Sequence, residues 1–205
     1  MELVAAAKDV PPEAVLEAVG VGVKIIGESY VQEAEAAYQA IGSKAQNSTV
    51  LMPGWHLIGH LQKNKVRKAA ALFDMIESLD SLEIAREIDK QCALIGKVMP
   101  VLIEVNSGRE AQKSGVFPEA VEPLAREIFS LPNLKLMGLM TVGPYSSNPE
   151  DYRPYFAATR RIFEKLNKLN KLEYLSMGMS GSYKIAIEEG ANIVRIGTGI
   201  FGERL

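Results

Sequence analysis

Cysteine is almost absent: Cys92 is the only one in 205 residues, so no internal disulfide can form and no cysteine-built metal site exists. Histidine is nearly as scarce, and His56 and His60 leave little material for zinc. Neither sign of charge is in excess. The 23 Lys+Arg against 25 Asp+Glu give a net charge of −2, which removes any overall electrostatic reason to expect nucleic acid or an anionic membrane surface. No apolar run approaches the ~20 residues that a membrane span takes. The N-terminus does not read as a signal peptide, because its apolar run ends at Ala7 and Lys8 and Asp9 follow at once. What remains is ordinary and plentiful: 47% hydrophobic residues and 17 glycines, enough for one substantial core. These features describe a soluble, cytoplasmic chain folded as a single domain over residues 1–205.

The most informative stretch is SMGMSGSYKIAIEEGANIVRIGTGIFG at 176–202. An apolar strand from Tyr174 to Met179 ends in Ser180-Gly181-Ser182. A helix follows, with Ser180 or Ser182 as its N-cap and Gly190 as its stop. A β-branched strand, Asn192 to Ile196, then runs into Gly197-Thr198-Gly199. Two successive strand ends thus present glycines and hydroxyls together. Backbone N–H groups bared by glycine beside Ser and Thr hydroxyls suit a phosphate dianion, although the same residues also build ordinary turns. Arg195 sits inside the second strand, where a cation either snorkels out or meets a ligand or a carboxylate within.

The rest of the chain repeats the same unit. Strands are expected at Glu2–Lys8, Val23–Gly27, Trp55–Gly59, Met75–Leu79, Met99–Val105 and Leu134–Val142. Helical patterns lie between them: one opened by Pro11-Pro12-Glu13 and running to about Val19, Glu28 to Ala40 with Gly42 as its end, Leu61 to Leu72, Ser81 (as N-cap) to Leu94, Pro118 to Phe129, and Asp151 to Leu169. A polar loop through Asn47-Ser48-Thr49 precedes the third strand. Eight strands with helices between them, written as continuous apolar runs, predict a parallel sheet closed into a (β/α)₈ barrel; an open doubly wound sheet is the rival. Met137, Met140, Met177 and Met179 read as barrel core. The two histidines read as structural, and the run Lys63, Lys65, Arg67 and Lys68 as a solvated helix face.

In such barrels the reactive groups sit at the carboxyl ends of the strands. Those ends carry Lys8, Glu28-Ser29, His60, Asp80, Asn106, Thr141, Ser180 and Gly197-Thr198, nearly all polar above nearly all-apolar interiors. Desolvation at such a mouth favours the neutral lysine amine, a carbonyl nucleophile, whereas a lysine snorkelling from the rim would stay inert. Lys8 with a phosphate cradle across the mouth points to a phosphorylated aldehyde. Both a sugar phosphate in a Schiff-base aldolase and the cofactor pyridoxal phosphate fit that description.

LVAAAK (3–8), GESYVQEA (27–34), WHLIGHLQKNKV (55–66), PVLIEVN (100–106), GLMTVGP (138–144), LSMGMSG (175–181) and VRIGTGIFGER (194–204) together resemble the pyridoxal phosphate homeostasis protein family. The resemblance implies a single (β/α)₈ barrel like the N-terminal domain of alanine racemase. It also implies pyridoxal 5′-phosphate (PLP) held as an internal aldimine and buffered or delivered, with no ordinary catalytic turnover. By motif, Lys8 forms the Schiff base, Ser180, Gly197 and Thr198 hold the phosphate, and Arg195 faces the pyridine nitrogen. PLP-dependent apo-enzymes would be the recipients, and the protein a monomer. Three departures are visible: Ser29 stands where the family has Asn, Ala6-Ala7-Lys8 replaces Val-Ser-Lys, and the usual helix before strand one is lacking. An amino-acid racemase is the first alternative, but it would need a tyrosine base from a second domain, and only GERL follows the last strand motif. A sugar-phosphate aldolase is the second, and no proton-relay group beside Lys8 is identifiable.

Overall fold

The computed structural model describes residues 1–45 and 52–203; the expected Asn47-Ser48-Thr49 loop lies outside them. The eight strands are β1 (Glu2–Ala6), β2 (Ile25–Glu28), β3 (Gly54–Leu57), β4 (Met75–Leu79), β5 (Met99–Val105), β6 (Leu134–Thr141), β7 (Tyr174–Ser176) and β8 (Ile193–Ile196). The helices are α1 (Pro12–Gly20), α2 (Val31–Ala45), α3 (Val66–Leu72), α4 (Leu82–Leu94), α5 (Pro118–Ile128), α6 (Arg153–Asn167), α7 (Tyr183–Glu188) and α8 (Thr198–Phe201). Each strand pairs in parallel with the next, and β1 pairs with β8, so the sheet closes into a barrel. The (β/α)₈ expectation holds, and the open sheet is excluded by the β1–β8 pairing.

Strand alternation divides the buried side chains into two sets. Ile26, Leu57, Ile76, Leu79, Ile103 and Leu139 pack outward beneath the helices. Val4, Met75, Leu102, Met137, Met140 and Ile193 fill the barrel interior. Burying a side chain of this size is worth about 1.5–3 kcal/mol against leaving it exposed, so the two layers hold the strands from both sides. Met137 and Met140 both face inward although three residues apart. The explanation is an irregularity in the β5–β6 register between Val101 and Leu102. Gly138 takes up that irregularity, and a Cβ there would lie 1.7 Å from the Tyr174 carbonyl oxygen.

Several expected boundaries shift. Glu28 closes β2 rather than opening a helix, and α2 runs through Gly42 to Ala45. α3 is preceded by a 3₁₀ turn at Lys63–Lys65, and α6 by another at Pro149–Tyr152. Ser81 caps α4 as expected, its hydroxyl accepting from Ile84 N–H. Met179 is 39% exposed and Met177 is buried in the helix-facing layer, so of the four only Met137 and Met140 fill the barrel interior. Lys63 and Lys68 pair with Glu83 and Glu35 on the surface, as a solvated face should. Among the described residues no helix is long and apolar enough to cross a membrane.

Candidate functional site

Just beyond β1 the chain turns, and Asp9 adopts a left-handed backbone with φ 59°. This turn sets Lys8 half-buried on the rim, its Nζ 5.3 Å from the centroid of the Tyr30 ring. An ammonium over an aromatic face gains a modest cation–π attraction, which favours one direction for the side chain. Tyr30 comes from the β2–α2 connection, so the lysine sits over the seam between the first two strands.

On the other side of β1 lie β8 and then β7. β7 stops three residues short of the expected Met179. The cause is Gly178 at φ 90°, where a Cβ would come within 2.8 Å of Tyr183 Cα and 2.6 Å of Ala186 Cβ. The chain therefore folds sharply over the start of α7. Neither serine caps that helix through its side chain: Ser182 Oγ accepts from Met179 N–H, and Ser180 Oγ accepts from Gly199 N–H at 3.2 Å. Ser180 instead ties the β7 loop to the β8 loop. α7 ends before Gly190 as expected, and Arg153 holds its last turn through Glu188 and Glu189 while also binding Glu150.

Gly197 and Thr198 open α8, and with Ala6, Asp9, Pro11 and Gly202 they line a cavity of about 490 Å³. A Cβ on Gly197 would stand 3.2 Å from the Ala6 carbonyl oxygen, so the backbone of β8 approaches β1 where a larger residue would crowd it. Nothing lies within 4 Å of a Cβ built at Gly181, which leaves that edge open. Ser180, Gly197 and Thr198 follow β7 and β8, and β8 pairs with β1, the strand that leads to Lys8.

Arg195 is 3% exposed and does not snorkel. Its Nη1 donates to Ser176 Oγ at 2.5 Å and its Nη2 to the Thr141 carbonyl at 2.8 Å. Ser176 in turn donates to Glu77 Oε2 at 2.6 Å, and His56 Nδ1 lies 2.7 Å from Glu77 Oε1. Burial pushes the Glu77 carboxyl up, but the hydrogen bond and charge of His56, the charge of Arg195 and the Ser176 hydroxyl together hold it below the usual carboxylate range. An ionised carboxylate only accepts, so His56 Nδ1 carries the proton toward it. Burial lowers the Arg195 guanidinium, opposed by the charges of Glu77 and Glu104. A cation in a dry interior is tolerated only with such partners.

Of the other strand-end residues, few remain for a ligand on the side of β7 and β8. Asn106 spends its amide on the Glu110 carbonyl and N–H, clamping the β5–α5 loop. Thr141 donates to the Val105 carbonyl and meets Ser107. His60 lies beyond β3, exposed, and pairs with Asp80 at 2.7 Å. Glu28 points away from the mouth: Gly27 faces the interior, toward Val4 and Ile58, so the next residue faces the helices. Glu104, which faces inward two residues after Leu102, lines a separate cavity of about 600 Å³ with His60, Asn106, Lys113 and Ser114. Burial raises its carboxyl, with a hydrogen bond from Ser114 opposing.

Three site residues escape the sequence reading: Glu77, Ser176 and Glu104. The signal for two of them was present. A carboxylate inside an apolar strand obeys the same rule as Arg195, and Glu77 and Glu104 are the carboxylates of the β4 and β5 runs. Among the described residues no group of three or more His, Cys, Asp or Glu could hold a metal ion.

A closed, parallel eight-stranded barrel with a lysine, glycines beside hydroxyls and a buried arginine toward its carboxyl end is a barrel of the alanine racemase N-terminal domain class. The family model for the alanine racemase N-terminal domain matches residues 5–205. The pyridoxal phosphate homeostasis protein of Aquifex aeolicus is 45% identical over 99% of this chain and 87% of its own length; that of Mus musculus is 37% identical over 98% and 76%. The chain belongs to the pyridoxal phosphate homeostasis protein family, within the alanine racemase N-terminal domain fold. PipY of Synechococcus elongatus, solved with PLP bound, superimposes with a TM-score of 0.87 at 30% identity, covering 98% of this chain and 92% of that one. Alanine racemase of Clostridium difficile shares the fold alone, at TM-score 0.77 and 16% identity over 53% of its length.

Proposed function

We infer that this barrel binds pyridoxal 5′-phosphate and serves its homeostasis, holding and passing on the cofactor rather than turning over a substrate. Family membership and the PLP-bound PipY relative support the cofactor. The residues fit it: Lys8 is the nucleophile within reach of a carbonyl at the rim, Ser180, Gly197 and Thr198 take the phosphate, and Arg195 faces the ring nitrogen. When bound, PLP supplies an aldehyde for a lysine and an electron-poor ring. The observation that speaks against transamination-type turnover is Arg195. A guanidinium held in place by Ser176 and Thr141 opposes protonation of a pyridine nitrogen set against it, and so weakens the ring as an electron sink. PLP-dependent apo-enzymes are the recipients this reading names.

The test is the visible absorption spectrum of the protein with added PLP, beside Lys8→Ala. The wild type should show a lysine-adduct band that borohydride fixes, and the variant should lack it. No band at saturating PLP would sink the reading and make sugar-phosphate aldehydes the next ligands to try. Steady racemisation of alanine by the loaded protein would overturn its non-catalytic half.

A further inference from the structure

The buried side chains below the mouth form one continuous line across strands distant in sequence. His56 on β3 meets Glu77 on β4, Glu77 meets Ser176 on β7, and Ser176 meets Arg195 on β8. Every member is at least nine-tenths buried, with Glu77 and Ser176 at 0% exposure. Glu77 Oε2 lies 3.9 Å from Arg195 Nη1, too far for a direct hydrogen bond, and the Ser176 hydroxyl fills the gap. The hydroxyl therefore has a defined polarity: it accepts from the arginine and donates to the carboxylate. With Nη2 held by the Thr141 carbonyl, the bridge holds the guanidinium at both of its ends.

We propose that Glu77 is a positioning residue for the cofactor site, acting through Ser176 to orient Arg195 and keep its charge at the ring edge, with His56 fixing Glu77 from the other side. The proposal rests on the PLP reading above. The charged or titratable groups facing Arg195 are Glu77 from β4 and Glu104 from β5, with His56 behind Glu77. Of these only Glu77 is joined to it by hydrogen bonds through a hydroxyl.

The test is a double-mutant cycle on PLP affinity, using the full chain. Glu77→Gln keeps the shape and removes the charge, Ser176→Ala removes the bridge with little change of volume, and each is combined with Arg195→Gln. Against the wild-type background each single variant should weaken PLP roughly tenfold, and in the Arg195→Gln background less than about threefold, the non-additivity expected of residues acting as one network. The bound-cofactor band gives a second readout. It should be flat across the neutral pH range in the wild type and should titrate in Glu77→Gln, where the ring nitrogen is no longer opposed by a fixed cation. Glu77→Asp should restore the flat profile. If Glu77→Gln does not fold, the Ser176→Ala arm of the cycle decides. Equal losses in both backgrounds, or a flat profile in the folded variants, would overturn the positioning role while leaving the PLP reading intact. Absence of any band in the wild type would remove both.

Discussion

Glu28 shows how much one residue's facing matters. It closes β2 at 1% exposure, turned toward the helices, with one carboxylate oxygen lacking a hydrogen-bond partner among the described residues. Burial, with the charges of Glu33 and Asp9 adding, pushes its carboxyl up from 4.5 to about 8. The folded chain therefore keeps a proton that the unfolded chain releases. Stability contributed at this position falls as pH rises from about 4.5 and levels off above about 8. Glu28→Gln has no charge to bury. Its stability should match the wild type near pH 5 and exceed it near pH 9 by an amount on the order of 1–3 kcal/mol, read as a higher thermal midpoint at pH 9. Melting curves at the two pH values decide this, and equal differences at both would remove the buried-carboxyl account. Arg195 and Glu77 form the converse case, two buried charges that stabilise each other's ionised form.

At the scale of elements, the strands follow from local pattern and the irregularities from contacts across the sheet. The apolar run at Leu134–Thr141 reads as a strand, yet its inward face changes parity at Gly138, a shift visible only against β5 and β7. Gly138→Ala would drive a methyl into the Tyr174 carbonyl. We expect it to cost about 2–4 kcal/mol, comparable to other backbone and packing disruptions in cores. Urea titration checks this, and a loss below about 0.5 kcal/mol, typical of surface changes, would mean that β7 yields easily. β7 has only three residues, and its position depends on that glycine and on the sharp turn at Gly178. The placement of Ser180 therefore depends on two glycines as much as on its own hydroxyl.

At the scale of the molecule, barrel closure makes every strand a neighbour of two others and leaves no free edge. A closed barrel wrapped by one continuous helix-facing core should unfold as a unit. Trp55 is the only tryptophan and is 1% exposed at the start of β3. Its fluorescence and the far-ultraviolet circular dichroism should give one coincident transition in denaturant, as two-state behaviour requires. Separated midpoints would divide the chain into two folding units and count against the single-domain reading.

The (β/α)₈ plan was determined by the sequence itself. Apolar strand runs, Pro11-Pro12, Ser81 and Gly190 are local signals whose meaning depends on neighbours a few residues away, and eight repeats of them admit few closed arrangements. Placing Lys8, Ser180, Gly197 and Thr198 at the mouth followed from that plan, since strand ends are known once strands are. Which side chains those residues meet was decided only by the tertiary structure. Glu28 faces helices rather than ligand because β2 pairs with β1 and β3 in one particular register. Ser180 reaches Gly199 rather than its own helix because Gly178 folds the loop back. Arg195 had to snorkel out or meet a ligand or a carboxylate, but joining it to Glu77 through a serine 99 residues further along the chain from that glutamate required the stagger of the closed barrel. Contacts between distant strands depend on that stagger, and no window of sequence contains it.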